Sequence, residues 1–246
     1  MTSEYEYWVG MDLAGASQRE ISDFNAFYDE IHVGEVLRRN QGFTAAHRYE
    51  QIAGDPGGTR LPHWLAVYEI RDTEALDRYQ ETERSGHRLT GLTPGPAVWS
   101  DKARRQTTWR AVWRVISESG SAAGMPSAIY LNGMDAPDVT SDAALREFNE
   151  FYDRVHVPEV LAYRKSGRAR RYELHLQQHS SYGKPLPRFV AIYDMSSQQA
   201  DAVRDGTAPP RNPDARFTGG PRVWESRAPC WRAYYRHLSS VEAEEQ

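Results

Sequence analysis

Two histidines, each three positions after an aspartate, are the residues of this sequence best suited to proton transfer. They are His32 after Asp29 and His156 after Asp153. If each pair lies on a helix, the two positions share a face and the carboxylate can contact the imidazole. A carboxylate in that position fixes the tautomer of the histidine and raises its pKa, which suits a general acid or base near neutral pH. The other interpretation is that these residues cap the helix or tie it to a neighbouring strand.

Both pairs belong to a fourteen-residue stretch that occurs twice in the chain. FNAFYDEIHVGEVL begins at Phe24 and FNEFYDRVHVPEVL begins at Phe148, and ten of the fourteen positions are identical. Shorter matches follow in the same order, such as HRYE at 47 with RRYE at 170, and GPAVW at 95 with GPRVW at 220. The chain is therefore a tandem duplication. We predict a first repeat over 1–117, a small-residue linker over 118–127 and a second repeat over 128–240.

Polar and aromatic side chains that both repeats keep are candidates for ligand binding. The amides of Asn25 and Asn149 could hold a ligand oxygen, or they could cap a backbone group. Tyrosines that face inward would line an aromatic pocket with a few polar tips. The alternative for them is plain packing of helix and sheet. The tyrosines kept in both repeats are Tyr28 with Tyr152, Tyr49 with Tyr172, and Tyr68 with Tyr193.

Each repeat is predicted to have the element order β-α-β-β-α-β. Phe24, Phe27 and Ile31 form an apolar stripe by which the first helix would pack on a sheet. The element order is that of the ferredoxin-like unit, an antiparallel sheet with both helices on one face. Two such units in one chain can bury their free faces against each other. We therefore predict an α+β fold in which two ferredoxin-like repeats pack as a pseudo-twofold barrel.

The helix motif in this setting resembles the EthD-like branch of the dimeric α+β barrel superfamily, and the resemblance covers essentially all of both halves. It implies that the first helix borders a ligand pocket and that its histidine is the candidate for acid–base chemistry, which points to His32 and His156. The superfamily includes cofactor-independent monooxygenases, polyketide cyclases, dehydratases, isomerases and haem enzymes. The resemblance therefore implies a fold and leaves the reaction open.

Composition narrows the range of partners and cofactors. A net charge of −4 gives no reason to expect nucleic acid or an anionic membrane as a partner. The N-terminus lacks the features of a secretory signal, so a cytoplasmic protein is expected. The single cysteine, Cys230, excludes an internal disulfide framework. We expect no cofactor and no metal, because no nucleotide-binding glycine motif occurs and no third metal ligand follows at a recognisable spacing.

These observations predict a cofactor-independent enzyme of the lyase, dehydratase, cyclase or isomerase type. Its substrate would be a small aromatic or polyketide-like molecule. One alternative is a cofactor-free or haem-linked oxygenase, and another is a non-catalytic accessory protein that binds a small molecule. Either a monomer or a homodimer of barrels is expected. The short basic clusters Arg104–Arg105 and Arg168–Arg171 are interpreted as solvated strand or loop ends, and His175 and His179 as surface residues.

Overall fold

Eight strands close into one barrel, and the helices lie outside it. The computed structural model describes residues 3–54, 61–86, 91–121, 124–180 and 186–244. The first half contains β1 (Tyr5–Leu13), α1 (Gln18–Phe27), α2 (Val33–Arg39), β2 (Phe43–Ala53), β3 (Trp64–Ile70), α3 (Thr73–Arg84), α4 (Ala97–Ser100) and β4 (Arg105–Gly120). The second half contains β5 (Ala128–Asp135), α5 (Asp142–Phe151), α6 (Val157–Arg164), β6 (Arg168–Ser180), β7 (Phe189–Met195), α7 (Ser197–Arg204), α8 (Arg222–Glu225) and β8 (Ala228–Glu242).

The strand order confirms the predicted α+β fold. Each half forms a four-stranded antiparallel sheet, ordered β4-β1-β3-β2 in the first half and β8-β5-β7-β6 in the second. Antiparallel pairs β2–β8 and β4–β6 join the two sheets, so each half closes the barrel for the other. β4 runs on to Gly120, and residues 118–120 therefore belong to this strand and not to the predicted linker.

Apolar side chains occupy three layers. The barrel interior takes residues from both halves, including Trp8, Trp109 and Trp113, which are almost completely buried. A second layer lies between the helices and the sheet of the first half, and a third lies at the equivalent place in the second half. Within the described residues, no helix is both long and apolar enough to cross a membrane.

A π-helical turn interrupts the long first helix of each half, at Tyr28–His32 and at Tyr152–His156. A π turn takes up one more residue than an α turn, so the residues after it rotate relative to the sheet. His32 is consequently only 7% exposed, whereas Ile31 is 37% exposed. The predicted apolar stripe is therefore right for Phe24 and Phe27 and wrong for Ile31. The sequence pattern assumed an uninterrupted α-helical period.

A candidate ligand site in the first half

A cavity of about 290 Å³ lies between the helices and the outer face of the first-half sheet. Its volume is near the lower end of the range for small-molecule sites, roughly 300–1,000 Å³. The lining is mostly aromatic and aliphatic, with several cationic groups. The described residues that line it are Tyr7, Val9, Met11, Tyr28, His32, Val36, Arg39, Asn40, Phe43, Tyr68, Tyr79, Leu92, Trp99, Arg105, Arg110 and His179.

His32 reaches this cavity from the π turn, and aromatic rings hold its imidazole. The ring centroid of His32 lies 4.7 Å from that of Trp99 and 4.8 Å from that of Tyr28. Trp99 can pack there because residue 95 is glycine. A Cβ atom at Gly95 would lie 2.4 Å from the Trp99 ring and 2.7 Å from the Phe27 ring, which is closer than atoms can approach. The repeated GPxVW motif thus places the indole beside the histidine.

Two phenol groups lie in the same wall as His32. The hydroxyl oxygens of Tyr28 and Tyr68 are 3.4 Å apart. Burial raises the pKa of Tyr68 well above its ordinary value, and the neighbouring Tyr28 raises it further. The Tyr68 hydroxyl therefore keeps its proton at neutral pH and can donate a hydrogen bond. These two tyrosines are the members of the predicted tyrosine set in the first half that line the cavity.

The predicted pairing of Asp29 with His32 is replaced by a pairing of Asp29 with Arg48. The Arg48 guanidinium, on β2, lies 2.9 Å from the Asp29 carboxylate and donates to Asn25 Oδ1 at 2.9 Å. It is buried and lies over the Tyr28 ring, 4.3 Å from its centroid. The Ser239 hydroxyl, from the second half, also donates to Asp29. Asp29 and Asn25 therefore fasten the helix to the sheet.

The second half repeats this arrangement. Arg171 donates to Asp153 Oδ1 at 2.7 Å and to Asn149 Oδ1 at 2.8 Å, and its guanidinium lies 3.8 Å from the Tyr152 ring centroid. Ser117, from the first half, donates to Asp153. The sequence carried a signal for this arginine, because HRYE and RRYE share it. The interpretation of Arg168–Arg171 as a solvated basic cluster is wrong for Arg171, which is 1% exposed.

In the second half, larger side chains stand at two positions that line the cavity in the first half, Arg164 in place of Asn40 and Phe217 in place of Leu92. The Arg164 guanidinium lies 3.5 Å from the Tyr130 ring centroid. Phe217 packs beside His156 and Tyr163, with centroid distances of 5.9 and 5.3 Å. A cleft of about 10 Å³ remains beside Tyr193 and Arg164. Tyr193 and Tyr152 are thus packing residues here.

The environment of His156 opposes a positive charge. Burial lowers its pKa to about 4, and the nearby cations Arg227 and Arg171 act in the same direction, with Glu159 opposing them. The prediction that a carboxylate raises the pKa of this histidine is therefore wrong for His156. Asp153 is paired with Arg171 and is not among the causes of the lowered pKa of His156.

Tyr49 and Tyr172 lie in the barrel interior, on the opposite face of the sheet from the cavity. The Tyr172 hydroxyl donates to Glu6 Oε1 at 3.0 Å, and Arg170 donates to the same oxygen at 2.9 Å. The Trp8 indole N–H donates to Glu6 Oε2 at 2.7 Å. Glu6 is completely buried, so these donors replace its hydration. The structure therefore separates these two predicted ligand-binding tyrosines from the cavity.

Several cavity residues did not enter the sequence-based site. Trp99 belongs to a motif repeated at 220, and that repeat was the available signal for it. Arg105 and His179 were interpreted as surface residues, yet both line the cavity. His179 is on β6 of the second half, where it is the antiparallel neighbour of Arg110 on β4. No pattern within one repeat could predict a residue that the other repeat supplies.

A whole haem would extend beyond this cavity. A volume of about 290 Å³ suits a molecule of one or two rings, whereas a haem carries four pyrrole rings and two propionates. The rings of Trp99 and Tyr28 also pack against the His32 imidazole, the one histidine on the helix face of this cavity. For a metal site, the described residues contain no group of three or more His, Cys, Asp or Glu side chains placed to hold an ion.

Comparison with known proteins gives structural likeness at low identity. No protein-family model and no curated protein matches this chain. A dye-decolorizing peroxidase from Bacteroides thetaiotaomicron is 7% identical, with 96% of this chain and 93% of that chain covered and a TM-score of 0.49. A chlorite dismutase variant from Candidatus Nitrospira defluvii is 10% identical, with 97% and 93% covered and a TM-score of 0.46. Likeness at this level carries no information about the reaction of this chain.

Proposed function

We propose that the chain is a tandem EthD-like enzyme in which the first half carries the working site. The site would bind a small aromatic or polyketide-like molecule, and His32 would move a proton of that molecule without a cofactor. The observation that supports this proposal is the difference between the halves. His32 borders a cavity of about 290 Å³, whereas in the second half the Arg164 guanidinium packs on Tyr130 and the half-exposed Phe217 ring packs beside His156.

The geometry suggests a division of labour within the cavity. An imidazole can accept a proton from a carbon or oxygen of the ligand and return it at a neighbouring atom. The negative charge that develops on a ligand oxygen during this transfer needs a hydrogen-bond donor. The protonated hydroxyl of Tyr68, paired with that of Tyr28, can supply one. This combination serves isomerisation, dehydration and cyclisation alike.

Packing, rather than a carboxylate, orients the histidine in this proposal. Trp99, Tyr28 and Phe27 surround the His32 ring at centroid distances of 4.7, 4.8 and 5.8 Å. Asp29 is bound to Arg48 and acts on His32 through the position of the helix. The catalytic role predicted for Asp29 thus becomes a positioning role.

Hydrogen exchange tests the proposal before the natural substrate is known. Aromatic and polyketide-like ketones with an acidic C–H beside the carbonyl are incubated with the protein in D2O, and mass spectrometry follows deuterium uptake. We expect His32→Ala to lower the rate of exchange by roughly 100-fold or more, the usual contribution of a positioned acid or base. His156→Ala is the matched control, and it should keep the wild-type rate.

Exchange that survives His32→Ala in a folded protein would reject His32 as the acid or base. Loss of exchange in His156→Ala alone would assign the site to the second half instead. A cofactor-free oxygenase would begin at the same cavity, and it would consume dioxygen in the presence of substrate. A non-catalytic binding protein would show saturable binding with neither exchange nor turnover.

A further inference from the structure

We propose a second reactive site on the seam where β2 pairs with β8. In this site Ser240 is a nucleophile towards short-chain esters, His47 is its general base, and Glu69 orients the histidine. None of these three residues lines the first-half cavity, so the site is separate from that of the proposed function and does not depend on it.

A chain of hydrogen bonds joins these side chains in the order that a serine nucleophile requires. The Ser240 hydroxyl oxygen lies 2.8 Å from His47 Nδ1, and His47 Nε2 lies 3.2 Å from Glu69 Oε1. Ser240 is the antiparallel neighbour of His47, so strand pairing fixes the first contact. His47 is buried and Ser240 is exposed. The base is therefore held inside the protein while the nucleophile faces solvent, where an ester can reach it.

The charge on Glu69 determines where the proton of His47 lies. The hydrogen bond from His47 lowers the pKa of Glu69, against the opposing effect of burial, so the carboxylate is charged near neutral pH. A charged carboxylate only accepts hydrogen bonds, so the proton lies on His47 Nε2 and the lone pair of Nδ1 faces Ser240. This tautomer can take the hydroxyl proton, and Glu69 then stabilises the imidazolium that forms.

A second imidazole contacts the same hydroxyl oxygen. His237 Nε2 lies 2.7 Å from Ser240 Oγ. Burial lowers the pKa of His237, and the nearby His47 acts in the same direction, so His237 is neutral near pH 7. Because the hydroxyl donates its one proton to His47, its oxygen accepts from the Nε2–H group of His237. This donor would stabilise the negative charge that develops on Oγ as the proton leaves.

The duplication shows that the fold itself does not need this cluster. The equivalent seam, where β4 pairs with β6, also closes the barrel, and it has other residue types at all four positions. In place of Ser240, His47, Glu69 and His237, the second half has Glu118, Arg170, Asp194 and Val115, respectively. The serine and both histidines are therefore particular to one seam, and barrel closure does not account for them.

Ester hydrolysis at this site needs no reactant besides water. Ser240 Oγ attacks the acyl carbon while its proton passes to His47 Nδ1. The bond from the acyl carbon to the leaving oxygen then breaks, and that oxygen takes the proton from His47. Water attacks the acyl-serine in the same way, its proton passes through His47 to Ser240 Oγ, and the acid is released. Because Ser240 lies on an exposed strand, a short acyl group is the expected class.

Two measurements on the full-length protein test the proposal. A fluorophosphonate probe is mapped by peptide mass spectrometry, and hydrolysis of 4-nitrophenyl acetate is followed by the release of nitrophenolate. We expect the label on Ser240, and Ser240→Ala should lose both the label and the hydrolysis. His47→Gln should lower the rate roughly 100-fold, the usual contribution of a positioned base. Ser85→Ala is the matched control and should keep the wild-type rate, because Ser85 is also exposed but donates to the Thr82 carbonyl.

Glu69→Gln tests the positioning role. It should lower the rate of acylation about tenfold or more and leave the KM unchanged, because Glu69 acts on the base and not on the ester. Thermal melting checks the fold of each variant, and Ser240→Ala, at an exposed position, decides the outcome if a variant of the buried His47 unfolds.

Hydrolysis that survives Ser240→Ala in the folded protein would overturn the proposal, as would equal labelling of Ser240 and Ser85 or the absence of any label. His32→Ala should keep both the label and the hydrolysis. Ester hydrolysis that disappears in His32→Ala would instead belong to the cavity, and it would overturn this proposal while leaving the first one intact.

Discussion

At the scale of single residues, two histidines at the same place in a repeated motif have different surroundings. His32 borders a cavity, and its ring packs against Trp99 and Tyr28. His156 packs against Trp224 in the same way, with the centroids 4.4 Å apart, but the larger Phe217 ring packs beside it where the first half has Leu92. The equivalent motif therefore sets the position of the ring. Residues outside the motif decide whether a ligand can reach it.

The lowered pKa of His156 predicts a loss of stability in mild acid. Its folded-state pKa is about 4 and its ordinary value is 6.5. Between these values the unfolded chain binds a proton that the folded chain does not, so stability falls as the pH falls from 6.5 towards 4. The contribution is fully present above pH 6.5. By about pH 4.5 we expect a loss of about 2–3 kcal/mol from this group.

Urea unfolding of wild type and His156→Gln at about pH 7.5 and pH 4.5 measures this loss by difference. The variant lacks the titrating group, so its stability should fall less in acid than that of the wild type. Other groups that titrate in this range are common to both proteins and cancel. Parallel pH dependence in the two proteins would show that His156 is protonated equally well in the folded and unfolded chains.

At the scale of elements, the π turn and the arginine of β2 together determine the site. The π turn rotates His32 inward and leaves Ile31 exposed. Arg48 then holds the helix through Asn25 and Asp29. Asn25, Asp29 and His32, which a regular helix would place on one face, thus serve two purposes. One edge fastens the helix, and His32, the last residue of the π turn, faces the cavity.

Arg48→Lys tests whether Asp29 and Asn25 fasten the helix. A lysine cannot contact both partners with a planar fork, and a buried carboxylate contact would be weakened. We expect a loss of about 2–4 kcal/mol in the free energy of unfolding, somewhat below the 3–5 kcal/mol of a fully broken buried pair. Arg171→Lys should cost a similar amount, because the second half has the same contacts.

Asp29→Asn separates this role from catalysis. It keeps an acceptor for Arg48 and Ser239 but removes the charge, so stability should fall while hydrogen exchange continues at temperatures where the protein is folded. If Asp29→Asn abolished exchange as completely as His32→Ala does, with ligand binding retained, Asp29 would regain the catalytic role that its spacing first suggested.

More of the fold than of the site could be predicted from the sequence, because the fold depends on patterns that are local in the chain. Element order and barrel closure follow from local periodicity and from the duplication, both of which are written in the sequence. The position of the π turn cannot be predicted from the sequence in this way, because Phe24, Phe27 and Ile31 fit an ordinary α-helix equally well. The difference between the halves depends on two substitutions, because Phe217 stands where the first half has Leu92 and Arg164 where it has Asn40. His179 enters through strand pairing between the halves.

At the scale of the whole molecule, the barrel interior is asymmetric although its strands are related by duplication. Glu6 of the first half is buried against Arg170 of the second. Position 170 corresponds to His47, and the position that corresponds to Glu6 is Ile129. Trp8 likewise corresponds to Leu131. Two copies of the first half could align the same strands, but each would bury Glu6 without its arginine and place two Trp8 side chains in one core.

This asymmetry predicts that the halves fold only with each other. Alone, fragment 1–121 has no partner strands for β2 and β4, which pair with β8 and β6 in the intact chain. Self-association would satisfy the strand edges but would leave the buried Glu6 carboxylate without its charged partner Arg170, a cost of several kcal/mol. We expect 1–121 and 122–246 to aggregate or stay unfolded separately, and to form a one-to-one complex with a cooperative thermal transition when they are refolded together.

Glu6→Gln in the first fragment is the control, because removing the charge should let that fragment self-associate more readily. A stable monomer or homodimer of unaltered 1–121 would show that strand pairing alone, without the Glu6–Arg170 contact, selects the partner.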